Sequence, residues 1–203
     1  MNATLAIILV TTVVSFVAFN NLRLLGALWL WPPAVQRQGQ YYRLLTYGVV
    51  HADFAHLAFN MITLYFFGGV IERIFTPAID TAGYVAFYLG GLLVSILPSY
   101  LKHRHDPNYR SLGASGAVSA VLFAYILFQP WSLIFVFFVP VPAIVFAVIY
   151  VGYTIWADRQ GADQINHQAH LWGAAYGVGF TLLLEPRVLL LFLQRLLNPG
   201  LAG

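Results

Sequence analysis

The segment Gly113-Ala-Ser-Gly116 places a serine among small side chains in an apolar part of the chain. A serine hydroxyl becomes a useful nucleophile when a neighbouring base takes its proton, and neutral histidine is the usual base. His170 lies in a second apolar segment, AHLWGAAYG. Ser115 and His170 are therefore the candidate nucleophile and general base of an acyl-transfer reaction.

The segment HADFAHLAFN supplies His56 and Asn60, which are four residues apart and so lie on one face of a helix. Nucleophilic attack turns a carbonyl into an oxyanion, which needs preorganised hydrogen-bond donors in a dry site. We expect these two side chains and the backbone N–H of Ser115 to be those donors, with Gly113 leaving room for the backbone there. His51 lies more than a turn earlier, near the mouth of the same helix.

Small residues predict how the serine and the histidine meet. Gly173 and Gly177 follow His170 on its own helix face as a GxxxG pair, which allows a second helix backbone to approach closely. The segment that begins at Gly113 and includes Gly116 offers a matching small-residue surface. Close packing of these two helices would bring Ser115 within reach of His170.

The composition predicts a membrane protein. Of the 203 residues, 60% are hydrophobic and 8% are charged, and the mean hydropathy is +0.76. A soluble domain is closer to half apolar and a quarter charged, so this chain has too little polar surface to cover a water-soluble globule. There is no cysteine, and a net charge of +3 without a basic stripe excludes nucleic acid as a predicted partner.

These residues are positioned by six predicted transmembrane helices in one all-α domain, residues 1–203. At about 20 apolar residues per crossing, the spans fall near 3–20, 54–74, 80–98, 113–129, 132–156 and 166–185. Residues 21–53 contain the apolar stretch LLGALWLWPP, which is too short to cross the membrane. This region is predicted to lie in the interface. Pro140 and Pro142 should kink the fifth span. The last segment, EPRVLLLFLQRLL, should lie along the membrane surface.

Other interpretations of the same residues remain open. A GxSG segment in a membrane helix is often a packing site, and membrane histidines can serve proton paths or haem. His51, His56, His167 and His170 are available to a metal, with Asp53 and Glu72 as carboxylates near the ends of a span, but no HExxH motif occurs. We therefore predict no metal and no cofactor. Paired histidines in a small transporter or haem protein would leave the GASG segment unexplained.

In combination, these motifs resemble the rhomboid family of intramembrane serine proteases over nearly the whole chain. The matching segments are HADFAHLAFN, FFGGVIER, GASG and AHLWGAAYG, with YYR at 41–43 similar to an element of the family's first loop. The resemblance implies a Ser115–His170 dyad, an oxyanion hole that uses His56 and Asn60, and a supporting role for His51. It also implies cleavage of single-pass transmembrane substrates near the membrane surface.

The resemblance further implies a multi-pass protein of the bacterial cytoplasmic membrane, with the lipid bilayer and transmembrane substrates as partners. The sequence does not fix the oligomeric state. An inactive rhomboid-like protein that binds or escorts membrane clients is the alternative, although the serine and the histidine are both present.

Ser119 departs from the family pattern. Four residues after the nucleophile, many members carry an aromatic residue that packs against the catalytic histidine, and this chain has a serine there. Ser119 is one turn from Ser115, so we expect it to face the same cavity. The hypothesis is that it orients His170 through a hydrogen bond.

The distribution of positive charge also conflicts with the resemblance. One set of loops carries seven basic residues and the opposite set carries three, so the positive-inside rule places the first and third loops in the cytoplasm. The seven are Arg23, Arg37, Arg43, Lys102, Arg104, Arg110 and Arg159, and the three are Arg73, Arg187 and Arg195. The family resemblance implies the reverse orientation, with both termini cytoplasmic, and we favour it because several of these arginines should belong to a structured first loop.

Overall fold

The computed structural model describes residues 2–136, 138–161 and 165–199. Its helices are α1 (Ala3–Phe19), α2 (Leu22–Leu28), α3 (Pro32–Gln38), α4 (Arg43–Thr46), α5 (Phe54–Thr63), α6 (Gly69–His103), α7 (Ser115–Phe128), α8 (Ala143–Gln160), α9 (His167–Leu184) and α10 (Val188–Leu197). The strands β1 (Leu133–Val136) and β2 (Val139–Pro142) form one antiparallel hairpin. The predicted domain range of 1–203 includes residues 1, 137, 162–164 and 200–203, which lie outside the described residues.

Helix α7 is the centre of the fold. It is contacted by α5, α6, α8, α9 and α10, and its residues from Gly116 to Ala124 are all buried. Such a helix must be apolar or small on every side, as SGAVSAVLFAYILF is. The first residue of this central helix is Ser115.

Helices α5 and α6 form one long helical stretch, which is interrupted at one residue of α6. A five-residue π-helix, Leu64–Gly68, joins them, and α6 is interrupted at Asp80, whose φ of 55° and ψ of −174° are not helical. The Asp80 side chain accepts a hydrogen bond from the backbone N–H of Gly83 at 2.9 Å, so it caps the part of α6 that follows. This break lies where the sequence predicts the boundary between the second and third spans.

The prediction of one helix over 132–156 is wrong at its beginning, where the otherwise mostly helical fold contains two short strands. The strands Leu133–Val136 and Val139–Pro142 lie at the start of this range, and the helix runs from Ala143 to Gln160. The reason is the proline pair, because each proline inside a helix removes a backbone donor and clashes with the preceding turn. In the hairpin, Pro140 pairs with Phe135 and Pro142 with Leu133, and a two-stranded sheet has only edge strands, where proline is tolerated.

The segment between α1 and α5 contains the short helices α2, α3 and α4. Leu30 and Ser111 form an isolated antiparallel bridge, with N–H···O distances of 2.9 and 3.2 Å. This bridge joins the first loop to the chain that leads into α7.

By length and composition, one described helical stretch, Phe54–His103, is long and apolar enough to cross a membrane. The pair α9 and α10, bent by 113°, adds at most one more, while α1 and α7 are apolar but shorter. This criterion supports one or two spans, so the number six stays a prediction. The bend separates α10 from α9, and the location of the last segment along the membrane surface stays a prediction.

Candidate active site

Ser115 and His170 are in direct contact. The distance from Ser115 Oγ to His170 Nε2 is 2.8 Å, within the range for a nucleophile and its base. Both side chains are half-buried. The two residues come from α7 and α9, so the contact depends on how these helices pack.

Glycines set the distance between α7 and α9. A Cβ on Gly173 would overlap the carbonyl oxygen of Gly116, and one on Gly177 would overlap that of Ala120. Gly116 itself lies against Ser95 of α6 and the carbonyl of Ala169. The two backbones therefore touch, as the small-residue pattern predicts.

The chain before Ser115 is held by backbone hydrogen bonds. The N–H of Gly113 donates to the carbonyl of Tyr47 at 2.9 Å, and that of Ala114 donates to Nε2 of His51 at 3.2 Å. Gly113 has a φ of +113°, a region that only glycine adopts without strain. Since Ser115 begins α7, its own N–H has no acceptor within the helix and lies at the positive end of the helix dipole.

His51 is a fully buried connector. Its Nε2 accepts from Ala114, which leaves Nδ1 to donate to Ser15 Oγ at 2.9 Å, and Ser15 donates to the carbonyl of Val49 at 3.0 Å. Burial, together with the nearby His56 and against the opposing effect of Asp53, lowers the pKa of His51 to about 3. The neutral ring thus links α1 to the residue before Ser115.

His56 lies beside Gly113. A Cβ on Gly113 would come 2.8 Å from His56 Nε2, so the absence of a side chain there makes space for the ring. Asn60 is buried and donates one amide hydrogen to the carbonyl of His56 at 2.8 Å. An amide NH₂ has two donors, so this bond leaves the second for another acceptor.

Asn166 is a positioning residue that the sequence reasoning missed. Its Oδ1 caps α9 by accepting from the N–H of Ala169 at 3.0 Å and also accepts from Ser99 at 2.9 Å. Its amide nitrogen donates to Tyr109 at 3.0 Å and to Ser111 at 3.3 Å. The available signal was an asparagine directly before an apolar helix, which is a preferred N-cap.

The YYR element is part of the first loop's framework. Arg43 is 6% exposed and donates to the carbonyls of Gly26 and Trp29, each at 2.8 Å, and to Gln40 at 2.6 Å. In the third loop, the guanidinium of Arg110 lies 4.8 Å from the ring centre of Trp31. Both arginines belong to a structured surface around the site.

Ser119 contacts a residue that the sequence analysis did not identify. Its Oγ is 2.8 Å from the phenol oxygen of Tyr150 on α8. The Tyr150 ring stacks on the His170 imidazole, with ring centres 6.1 Å apart and planes inclined by 22°. The hypothesis placed Ser119 directly on His170, whereas the structure gives it Tyr150 as a partner.

Within the described ranges, no three His, Asp or Glu side chains form a group that would hold a metal ion. The described polar groups at the site are thus a serine, histidines, an asparagine and backbone amides, which are the groups of acyl-transfer chemistry.

Known proteins are similar to this chain. A family model described as the Rhomboid domain matches residues 38–187. RHOMBOID-like protein 12, mitochondrial, of Arabidopsis thaliana is 33% identical over 151 residues, 68% of this chain and 45% of the relative. The putative rhomboid protease YdcA of Bacillus subtilis is 30% identical over 88 residues, 43% of this chain and 41% of the relative. Rhomboid protease GluP of Bacillus subtilis is 35% identical over 85 residues, 42% of this chain and 15% of the relative.

The chain spans less than half the length of each of these curated relatives. The family match nevertheless covers most of this chain, from the YYR element through the GASG segment and His170. It confirms the resemblance that the motifs indicate. The chain belongs to the rhomboid family, a family of integral membrane proteins that includes serine proteases.

Proposed function

We propose that this protein is an intramembrane serine endopeptidase that cleaves single-pass transmembrane proteins near the membrane surface. The observation that carries the proposal is the 2.8 Å contact between Ser115 Oγ and His170 Nε2. Membership of a family that includes serine proteases supports it.

In the first half-reaction, Ser115 Oγ bonds to the scissile carbonyl carbon while its proton passes to His170 Nε2. The carbonyl oxygen becomes an oxyanion. His170 then donates the proton to the leaving amide nitrogen as the C–N bond breaks, which leaves an ester on Ser115. In the second half, a water attacks the ester, its proton passes to Nε2 and returns to Oγ, and the free acid departs.

Three donors are proposed for the oxyanion: the Ser115 N–H, the His56 ring and the second amide hydrogen of Asn60. The proposal is supported by the position of Ser115 at a helix N-terminus and of His56 beside Gly113. Donors fixed before the reaction stabilise the developing charge without reorganisation, and loss of one typically lowers kcat by about 10²–10³.

The length of α7 supports a site below the membrane surface. Its 14 residues span about 21 Å, whereas the hydrocarbon core is about 30 Å thick. If its far end lies at one surface, Ser115 lies roughly 9 Å below the other. Backbone groups at such depth must be satisfied by the protein, as those of Gly113 and Ala114 are.

We propose six spans for the membrane domain, formed by α1, by α5 with α6 up to Asp80, by the rest of α6, and by α7, α8 and α9. The proposed location is the cytoplasmic membrane of a bacterium. Two of the relatives named above are from Bacillus subtilis, and the third is described as mitochondrial. Membrane fractionation of the producing organism checks the location.

The function is tested by incubating the purified protein with a model single-pass substrate and identifying the products by mass spectrometry. We expect specific cleavage by the wild type and none by Ser115→Ala or His170→Ala, because each removes a group that forms or breaks a bond. Ser132→Ala, four residues beyond the C-terminal end of α7, is the matched control and should cleave normally. A fluorophosphonate probe should label the wild type and not Ser115→Ala.

Cleavage that persists at full rate in Ser115→Ala would refute the assignment. Folded wild-type protein that binds the substrate but neither cleaves it nor reacts with the probe would support the client-binding alternative instead.

A further inference from the structure

The imidazole of His170 is held between two helices. Its edge meets Ser115 on α7, and one of its faces meets the ring of Tyr150 on α8. The centre-to-centre distance of 6.1 Å and the 22° inclination lie within the range of favourable offset stacking. A ring packed in this way resists rotation about the bond that aims Nε2 at Ser115.

Tyr150 is itself fixed from several directions. Its phenol is hydrogen-bonded to Ser119 at 2.8 Å, and Ser119 is 5% exposed, so the bond is shielded. The ring also stacks on Phe146 at 5.5 Å and contacts Phe123 at 5.7 Å. These contacts fix the Tyr150 ring before any substrate is present.

Ser119 lies one helical turn after Ser115 on α7. A larger side chain at this position would occupy the space into which the Tyr150 phenol projects. The serine is small enough to admit the ring from α8 and polar enough to bond its hydroxyl. The serine at position 119, where many family members carry an aromatic residue, and the Tyr150 ring on α8 therefore form one arrangement.

We infer that Tyr150 is the positioning residue for His170, fixed by its hydrogen bond to Ser119, so that α8 controls the orientation of the general base. This inference rests on the proposed function. A displacement of α8 relative to α7 would break the Ser119–Tyr150 hydrogen bond. The face of the His170 imidazole would then no longer be packed against the Tyr150 ring. The activity of the Ser115–His170 pair is thereby coupled to the packing of α8.

The test measures the rate constant of fluorophosphonate labelling at saturating probe, the half-saturating probe concentration, and the Tm in detergent. For Tyr150→Ala we expect a rate constant about 10- to 100-fold lower, since misplaced catalytic groups cost on that order, with little change in half-saturating concentration. Ile149→Ala is the matched control, because it shortens a neighbouring α8 side chain that is 62% exposed. It should label at the wild-type rate.

Two milder variants keep the inference testable if Tyr150→Ala does not fold. Tyr150→Phe retains the ring and loses the hydroxyl, and Ser119→Ala loses the other half of the same bond. Each should slow labelling about 3- to 10-fold, the worth of one hydrogen bond. The double variant should be no slower than either single one, because all three lack the same interaction.

Labelling of folded Tyr150→Ala at the wild-type rate would overturn the inference, as would multiplicative effects of Ser119→Ala and Tyr150→Phe. Both results leave the proposed function intact, because the wild type still reacts through Ser115. Failure of the proposed function is a different result, in which wild-type protein neither labels nor cleaves.

Discussion

At the scale of single residues, His51 shows how a buried polar group serves a neighbouring site without touching the reacting atoms. Its ring accepts from Ala114 and donates to Ser15, so both nitrogens are used and the tautomer is fixed. Only the neutral ring can make this pair of bonds. Protonation would place a second N–H against the N–H of Ala114, directly before the proposed nucleophile.

This arrangement predicts loss of stability in acid. The pKa of His51 is about 3 in the folded protein, against 6.5 as the ordinary value. Between these values the unfolded chain takes up a proton that the folded protein does not, so stability is complete above pH 6.5 and falls as the pH is lowered toward 3. At pH 4.5 the loss is about 2–3 kcal/mol. The measurement is Tm against pH in detergent.

His51→Gln and His105→Gln separate this effect from general acid denaturation. His51→Gln should lower the Tm at pH 8 and flatten its decline between pH 6.5 and 4. His105 is exposed, so its replacement should leave the wild-type curve unchanged. Parallel curves for wild type and His51→Gln would show that another group controls the acid transition.

At the scale of elements, the packing of α9 on α7 sets the geometry of the site. Gly173 and Gly177 of α9 meet carbonyl groups of α7, and a backbone group cannot move aside by changing rotamer. Gly177→Ala should therefore separate the helices and lower stability by about 1–3 kcal/mol, the usual cost of overpacking. It should also reduce cleavage, because His170 lies on the displaced helix.

Gly179→Ala makes the same chemical change two residues later on α9. An added methyl there has no atom within 4 Å, so the Tm and the cleavage rate should stay at wild-type values or rise slightly. Thermal unfolding of both variants in one detergent tests the difference. Equal Tm values for Gly177→Ala and Gly179→Ala would mean that the helix contact is not close in solution.

The same elements show what the sequence predicts well and where it fails. Close contact between α7 and α9 was predictable because glycines spaced four apart have a definite helical face. The pairing of β1 with β2 was not predicted, because a continuous apolar run has the same hydropathy as strand or helix and only Pro140 and Pro142 distinguish them. Tyr150 was missed because α8 is apolar on all sides, which hides the face that packs against α7.

At the scale of the whole molecule, opposite ends of the fold are fixed by different chemistry. Near the site, Asn166, Arg43 and the Leu30–Ser111 bridge connect loops to helix ends. At the other end, the buried carboxylate of Glu72 accepts from the N–H groups of Ala3 and Thr4 at 2.7 and 2.9 Å, which stabilises the N-terminus of α1. In the loops that frame the site, Arg43 and Arg110 both have partners within the protein.

The contacts of these arginines within the protein bear on the orientation of the chain in the membrane. The positive-inside rule describes free basic residues in short loops, whereas Arg43 is buried and Arg110 stacks on tryptophan rings. Leaving these two out reduces the count on that side from seven to five, against three on the other, which weakens the conflict with the family orientation without reversing the charge bias. We therefore predict that the third loop lies outside the cytoplasm and that the turn before Asp80 lies inside it.

Because the chain has no cysteine, single introduced cysteines report the orientation directly. Asn108→Cys lies in the third loop and Ala78→Cys lies just before Asp80. Both positions are exposed and uncharged, so neither change alters the charge balance. In intact cells, a membrane-impermeant maleimide should label Asn108→Cys and not Ala78→Cys, and permeabilisation should make both reactive. The opposite pattern would establish that the basic residues govern insertion and that Ser115 opens toward the cytoplasm.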